Sequence, residues 1–372
     1  MVNVCHITTV HSALDVRIFY KECSSLSKKG YFVNIIAPGS DCRKNGIFIH
    51  GIGKQPSSRI KRIIQMSQRA YKKALKIDAD IYHIHDPELL PVGNRLLKKG
   101  KKVIFDSHED VVAQIGDKKW IPAILRNLAK FCYQFYQKKI LFRYTALIGA
   151  SPHICRRLEE SGNKRVFLIK NYPILGGDYK TSDIVNFKNK LVFAGGINEQ
   201  WMHNKIIQAI GAIDDIKYVL CGPAEEIYLN QLKKLYGWKK VDYLGEIPHS
   251  DVKKILSSCG IGLALLEKSG NTGGQEGTLG NTKLFEYMQA GLPVICTDFD
   301  LWKEIVEKWD CGLCINPYDT KNILDAINIL LSDKRRAAFM GNNGKKAIIS
   351  EYNWNIEEEK IMQLYNEVSI LV

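Results

Sequence analysis

Short apolar runs bounded by glycine or polar residues recur along this chain, with stretches of helical spacing between them. Asn3–Thr9 is the first such run. After a polar loop, Ile18, Phe19, Cys23 and Leu26 recur at helical spacing over Val16–Lys28, Gly30 ends that helix, and Phe32–Ala37 is the next strand. Strand, helix, strand in that order predicts a parallel sheet whose functional edge lies at the strand C-termini. Further strands are predicted at Ile81–Ile84, Val103–Phe105, Thr145–Ala150 and Val166–Ile169, with an amphipathic basic helix at Arg59–Lys76. The second half repeats the plan. Strands fall at Leu191–Ala194, Tyr218–Cys221, Val241–Leu244, Ile261–Leu266, Val294–Thr297 and Gly312–Ile315. Helices fall near 203–213, 224–236, 249–258, 282–290, 302–308 and 320–331, followed by two closing helices near 333–349 and 355–370.

A chain of 372 residues carries a prior of two or three domains, each large enough to bury a core. The polar stretch Gly176–Asn189 lies between the two repeats of the pattern and is read as the domain boundary. This gives a first domain over 1–173, a second over 190–350, and a C-terminal helix over 351–372. Charge divides at the same place. Residues 1–173 hold 31 Lys and Arg against 13 Asp and Glu, whereas the remainder holds 22 against 26. A basic front half fits an anionic membrane surface or an anionic lipid carrier. Nucleic acid is not expected, since no RNP, zinc-finger or helix-turn-helix pattern accompanies the charge. Ile121–Arg143 mixes Phe and Tyr with Lys and Arg, which suits a membrane interface and equally suits a helix packed on its own sheet with its cations snorkelling. No basic n-region precedes an apolar run at the start, no run approaches a membrane span, and ten cysteines are scattered without paired spacing. The expectation is a reduced, cytoplasmic protein.

The candidate chemistry clusters at predicted strand ends. His85-Asp86-Pro87-Glu88 follows one strand and Asp106-Ser107-His108-Glu109 follows another, so two His–acid sets meet at one sheet edge. The loop after the first strand, with Asp15 and Arg17, is placed at that edge too, although the two residues can equally pair and cap the helix. His83 and His85 share a strand face by the period of two. Their spacing alone permits a metal site, but no later His or Asp set completes the ligands. In the second half, Gly195-Gly196 and Gly222 mark strand ends. The stretch Asn271–Val294 is a glycine-dense loop leading to a helix N-terminus at Asn281 and Thr282, with Gly291 as its stop. Free N–H groups there favour a phosphate, and Lys283 in the first turn calls for an anion nearby. The first βα turn lacks G-x-G-x-x-G, which argues against a nicotinamide enzyme.

The wording Asn281-Thr282-Lys283-Leu284-Phe285-Glu286-Tyr287-Met288 through Val294 resembles the donor-site segment of retaining glycosyltransferases of the GT-B fold, the family 4 or group 1 type. Asp80 to Pro87 resembles the D-x-x-H-x-H-x-P segment of the same group. The resemblance covers nearly the whole chain. It implies two doubly wound Rossmann-like α/β domains facing across a cleft, with the last helix packing back on the first. It implies Glu286 on a nucleotide ribose, and Lys283 with Asn281, Thr282 and Leu284 at the diphosphate beside Gly195, Gly196 and Gly222. It sets His85 at the reaction, with Asp15, Arg17, Asp86, Glu88, His108 and Glu109 on the acceptor side. Two departures stand out. Thr278 occupies the place of a second glutamate, with Glu276 out of register, and Trp201-Met202 replaces a basic residue and glycine, leaving Lys205 as a possible helper.

The implied function is metal-independent hexosyl transfer with retention, from a nucleotide-sugar, a UDP-sugar for choice, to a saccharide or lipid-linked acceptor, as in bacterial cell-surface polysaccharide synthesis. No cofactor and no metal are expected beyond that co-substrate, and the protein is expected to sit peripherally on the cytoplasmic face of a membrane. A sugar-nucleotide 2-epimerase of the same fold, and a basic binding module without enzymatic activity, are the alternatives.

Overall fold

The computed structural model describes residues 1–117, 122–176 and 188–371. The chain divides into two compact units, Met1–Asn171 with Trp354–Val372, and Tyr172–Asn353. Most of the polar Gly176–Asn189 stretch lies outside the described residues.

Unit 1 contains one eight-stranded sheet in the order β3-β4-β2-β1-β5-β6-β7-β8. The strands are β1 Asn3–Ile7, β2 Phe32–Ala37, β3 Cys42–Lys44, β4 Ile47–Gly51, β5 Ile81–Ile84, β6 Lys102–Ser107, β7 Ala146–Gly149 and β8 Val166–Leu168. All neighbours are parallel except β3 and β4. That hairpin is absent from the sequence expectation. Its turn is Asn45-Gly46, both with positive φ, the chemistry of a tight hairpin, but β3 is exposed and has no apolar alternation to announce it.

Register sorts the strands' side chains by face. Cys5, Ile7, Tyr82, Ile84, Val103 and Phe105 enter one core, beneath the helices Arg59–Ile77, Leu90–Leu97 and Pro152–Glu159. Val4, Ile81, Ile104 and Ile148 enter the other, with Ile18, Phe19, Trp354, Leu364 and Tyr365. Side chains two apart share a face, so His6, His83, His85 and Asp106 belong to this second face as well.

The helix expected over Val16–Lys28 is a π-helix at Val16–Cys23 that tightens to an α-helix at Ser24–Lys28. Asp15 caps it, accepting from the N–H groups of Arg17 at 2.8 Å and Ile18 at 3.0 Å. The wider turn carries three charged residues, Arg17, Lys21 and Glu22, into the interior. Wide turns of this type concentrate at functional sites. The closing helix Trp354–Ile370 returns to unit 1. Trp354 Nε1 donates to Ser25 Oγ at 2.9 Å, and Glu357 accepts the Lys170 N–H at 2.9 Å.

Unit 2 contains a fully parallel six-stranded sheet, β11-β10-β9-β12-β13-β14. Its strands are β9 Lys190–Ala194, β10 Lys217–Cys221, β11 Val241–Gly245, β12 Ile261–Ala264, β13 Val294–Thr297 and β14 Gly312–Ile315. The predicted helices are found with ends shifted by a few residues. Strands buried on both faces read as continuous apolar runs, which is why β9, β10, β12 and β13 were visible in the sequence; the half-buried edge strands β11 and β14 were read from shorter apolar runs bounded by glycine. Among the described residues no helix is long and apolar enough to cross a membrane, and all ten cysteines are free thiols.

His203 opens the helix His203–Ile210, fully buried, with Nδ1 2.9 Å from the Tyr218 hydroxyl and its ring against Phe193. Burial pushes its pKa down to about 3. Below about pH 6.5 the unfolded chain takes up a proton that the folded chain refuses, so this contribution is present above pH 6.5 and lost as pH falls toward 3. Chemical denaturation should show unit 2 losing about 2 kcal/mol from this residue between pH 7 and pH 5. His203→Gln, which cannot titrate, should lack that part of the slope.

Candidate functional site

Each unit gathers candidate residues at the C-terminal edge of its sheet. In unit 1, β1, β5 and β6 end side by side. Asp86, just past β5, accepts from the Thr9 N–H at 2.6 Å, the Val10 N–H at 3.2 Å and the Thr8 hydroxyl at 2.9 Å. Its carboxylate is thereby committed to folding the loop after β1, and it is almost fully buried. Glu88 accepts from the Thr9 hydroxyl at 2.8 Å and pairs with Arg62 at 3.3 Å. Asp15 and Arg17 do not pair with one another. Asp15 caps the helix, and Arg17 is buried, donating Nε and Nη2 to the two oxygens of Asp106 at 2.9 and 3.0 Å and Nη1 to Ile169 O at 3.1 Å.

His85 is buried in a stack of imidazoles. Its Nε2 lies 2.9 Å from His6 Nδ1, and its Nδ1 lies 3.4 Å from His108 Nε2 and 3.6 Å from Asp106 Oδ2. Burial pulls its pKa down to about 4 against the opposing pull of Asp106, so it is neutral near pH 7. Burial alone would raise the Asp106 carboxyl. The Arg17 guanidinium, followed by His108 and His85, outweighs it and holds the group well below the usual carboxylate range. His108 stands in front of His85, partly exposed, 3.0 Å from Asp106 Oδ2. His11 lies beside it at a ring separation of 5.4 Å, 3.5 Å from Asp86. The partly exposed rim is thus His11, Asp15 and His108, with Glu109 exposed beyond it, and His85 forms the layer behind. Sequence reasoning singled out His83, His85, Asp106 and His108 but missed His6 and Glu22. The signal for His6 was a lone polar side chain inside an otherwise buried strand.

In unit 2, β9 and β10 end together at glycine. Gly195 N–H donates to Cys221 O at 2.9 Å, and Gly222 N–H to Gly245 O at 2.7 Å. Gly222 has φ +135°, and a Cβ there would sit 1.9 Å from Gly195 O, so no other residue fits. A Cβ on Gly195 would meet Lys283 Cε at 2.8 Å, whereas one on Gly196 would meet nothing within 4 Å. The bare Gly195 therefore lets the Lys283 stem pass, and Gly196 borders open space.

Lys283 begins the helix Lys283–Ala290, which Gly291 closes at φ +74°. Of the two expected cap residues, only Asn281 caps. Asn281 Oδ1 accepts the Lys283 N–H at 3.0 Å, while Thr282 makes no cap and instead donates its hydroxyl to Glu286 Oε1 at 2.6 Å. Lys283 Nζ lies 2.9 Å from Glu286 Oε2. The anion that the lysine called for is Glu286, one turn along, and both are partly exposed. Leu284 is fully buried and belongs to the core. Tyr287 hydroxyl accepts the Ala194 N–H at 3.3 Å and fastens the helix to β9.

The loop before this helix is pinned by backbone contacts. Leu301 N–H donates to Glu276 O at 3.1 Å, Trp302 Nε1 donates to Thr278 O at 2.7 Å, and a Cβ on Gly277 would strike Phe299 at 2.5 Å. Trp201 is buried against Phe193 at 4.8 Å, and Met202 takes the left-handed conformation at φ +47°, so this pair shapes the core. Lys205 follows in the next helical turn, partly exposed.

Two family models match the chain: Glycosyl transferases group 1 over residues 180–347, and Glycosyltransferase Family 4 over residues 16–172. Among characterised proteins, a phosphatidyl-myo-inositol mannosyltransferase of Mycolicibacterium smegmatis is 22% identical over 92% of this chain and 87% of its own. Its Mycobacterium leprae counterpart is 23% identical over 42% of this chain and 39% of its own. Among solved structures, sucrose-phosphate synthase from Thermosynechococcus elongatus superposes with a TM-score of 0.78 at 15% identity over 99% of both chains. Anabaena Alr3699/HepE, solved with UDP and glucose, superposes with a TM-score of 0.71 at 13% identity over 99% of this chain and 100% of its own. These two share the fold.

Gly222→Ala should destabilise unit 2 by at least about 2 kcal/mol, since it adds left-handed strain to a clash with a backbone oxygen. Gly196→Ala, facing open space, should leave the unfolding midpoint nearly unchanged. Thermal unfolding of the two variants beside the parent chain checks the contrast.

Proposed function

The chain belongs to the group 1, family 4 glycosyltransferases, and from that premise we propose that it moves a hexosyl group with retention from a UDP-sugar to a saccharide or lipid-linked acceptor, without a metal ion on the diphosphate. The observation that carries the reading is the placement of Lys283. A cation with a partly exposed head passes over Gly195 at the junction of two strand ends, at the start of a helix, next to a carboxylate held by Thr282. In the proposed reaction the bond from the sugar's anomeric carbon to the diphosphate breaks, and the electron pair leaves with UDP. The acceptor oxygen bonds to that carbon, and its proton leaves to the diphosphate or to solvent. Lys283 and the first helical turn stabilise the leaving charge, and Glu286 accepts from the ribose hydroxyls.

Binding a donor must therefore draw Lys283 away from Glu286 toward phosphate. UDP rests on what the Anabaena protein was solved with, and a lipid-linked acceptor on what the mycobacterial relatives are named for. Metal independence is supported by the fate of the chain's two Asp-x-Asp sequences. Asp78 pairs with Lys101 at 2.8 Å and Asp80 accepts the Asn3 N–H at 2.8 Å. Asp298 lies 2.8 Å from Lys268, and Asp300 accepts from Gln275 at 3.0 Å. On the acceptor side we assign contact to His108 and His11 at the rim of unit 1. His85 and Asp106 hold His108 in place from behind.

Lys283→Met should lower turnover by about 10²–10³-fold, the usual cost of one stabilising donor. Glu286→Ala should weaken UDP binding at least about tenfold, since a hydrogen bond to a charged acceptor contributes ~1.5–3 kcal/mol. Calorimetry with UDP and turnover at saturating UDP-sugar separate the two effects. Unchanged UDP affinity in a folded Glu286→Ala chain would remove that residue from the donor site.

We further propose that unit 1 docks on anionic membrane. The helix Ala123–Leu141 exposes Leu128, Phe131 and Phe135, Phe142 follows them, and Lys130, Lys138 and Lys139 lie on the same helix. Ile60 and Ile64 are exposed on the basic helix Arg59–Ile77. Each cation near such a surface contributes ~1 kcal/mol, screened within a Debye length of about 10 Å at 0.1 M salt. Flotation should show the protein on anionic vesicles at low salt, released at high salt, and weakened by Phe131→Ser with Phe135→Ser. A protein that stays unbound on anionic vesicles at low salt would assign this charge to a soluble anionic acceptor instead.

A further inference from the structure

The floor of unit 1 holds a set of donor atoms that the proposed transfer does not use. His6 comes from β1, His83 and His85 from β5 and its end, and Glu22 from the π-helix above them. All four are buried. Their inward atoms, His6 Nδ1, His83 Nε2, His85 Nε2 and Glu22 Oε2, converge within 4.8 Å of one another. His6 Nδ1 is 2.9 Å from His85 Nε2, and Glu22 Oε2 is 3.8 Å from each of these and 4.0 Å from His83 Nε2. A tetrahedron with zinc bonds of about 2.0–2.1 Å has edges of roughly 3.4 Å, and the observed separations bracket that value.

Three further features fit a cation at that point. First, two of the four donors have no hydrogen-bond partner, and His6 Nδ1 and His85 Nε2 have only each other. His83 Nε2 and both Glu22 oxygens are buried without a hydrogen bond. Arg17 Nε is 3.0 Å from Glu22 Oε1, but its N–H is directed to Asp106. Unsatisfied buried polar atoms are rare and costly. Second, the outward ring nitrogens are held. Tyr365 hydroxyl lies 2.8 Å from His83 Nδ1 and 3.2 Å from His6 Nε2, and His85 Nδ1 faces Asp106 at 3.6 Å. When those groups accept N–H from the rings, all three inward nitrogens present lone pairs, the outer arrangement common to metal-binding histidines. Third, two buried carboxyl groups, Glu22 and Asp106, face a single buried guanidinium, Arg17.

We propose that His6, Glu22, His83 and His85 bind one divalent transition-metal ion, with zinc the best match to three imidazoles and a carboxylate. With four protein ligands and no exposed face, the centre is structural and touches no substrate. It joins β1, β5 and the Val16–Cys23 helix, and through Tyr365 it fixes the closing helix Trp354–Ile370. The neighbouring set of His85, Asp106 and His108 is its outer layer, because Arg17 already occupies both Asp106 oxygens. The second pair of ligands escaped sequence reasoning because it lies upstream of the His83-x-His85 motif.

The test uses the full chain, stripped with a strong chelator and dialysed, then titrated with Zn²⁺ alone by calorimetry and elemental analysis. Expected are about one zinc per chain after dialysis, a raised unfolding midpoint, and loss of both in His83→Ala. Should His83→Ala fail to fold by circular dichroism, Tyr365→Phe supplies the second arm. It keeps every ligand and should bind zinc about 10–100-fold more weakly. His50→Ala, remote from the centre, should match the parent chain. Uptake below a tenth of an equivalent, or zinc binding unaltered in both His83→Ala and Tyr365→Phe, overturns the proposal. The unused donors would then be held by a proton shared between Glu22 and Asp106.

Discussion

Parallel pairing is the constraint on which both units depend. A parallel strand cannot be followed by a hairpin to its neighbour, so the chain must cross over through a helix and begin the next strand at the far edge. Every loop leaving the C-terminus of a parallel strand is therefore delivered to one edge, the antiparallel β3 being the exception. In unit 1 that edge collects the ends of β1, β5 and β6, which brings residues near positions 6, 85 and 106 into contact. In unit 2 it collects Gly195, Gly222 and the loop before Lys283.

The two edges resolve the same crowding differently. Unit 2 uses glycine. Bare backbone at Gly222 lets the Gly195 strand end close against it, bare Gly195 lets a lysine stem pass, and the lysine's charge is answered by a carboxylate on its own helix. That pair is partly exposed, so its net contribution to stability is small. Unit 1 uses charge. Arg17 and Asp106 meet bidentately in full burial, under four imidazoles. Replacing such a pair by apolar groups often costs nothing, whereas removing one partner costs about 3–5 kcal/mol. Arg17 is therefore tied to the rest of the network. It orients Asp106, which in turn orients the partly exposed His108.

This coupling also explains why the last helix belongs with the first residues. Trp354 bonds to Ser25, Glu357 takes the Lys170 N–H, and Tyr365 reaches His6 and His83 beneath the sheet edge. The tail covers the face on which the buried polar groups lie, and without it those groups would be open to water.

The sequence by itself determined the repeated strand–helix plan, nearly every strand of both sheets, and the donor-like segment from Asn281 to Val294. Strands buried on both faces announce themselves as apolar runs, and the helix after the glycine loop carries its own stop at Gly291. The β3–β4 hairpin stayed hidden: β3 buries nothing, and β4, which buries only Ile47 and Ile49, was missed with it. Local pattern also separated the two halves by charge. It could not assign partners. That Asp15 caps while Arg17 goes inward depends on a π-turn that no periodicity marks. That Asn281 takes the cap and frees Thr282 for Glu286 depends on a choice between two adjacent good caps. That His6 and Glu22 join His83 and His85 depends on strand order and register, because parallel neighbours are far apart in sequence. Those contacts exist only once the crossovers have closed, and only the tertiary structure decided them.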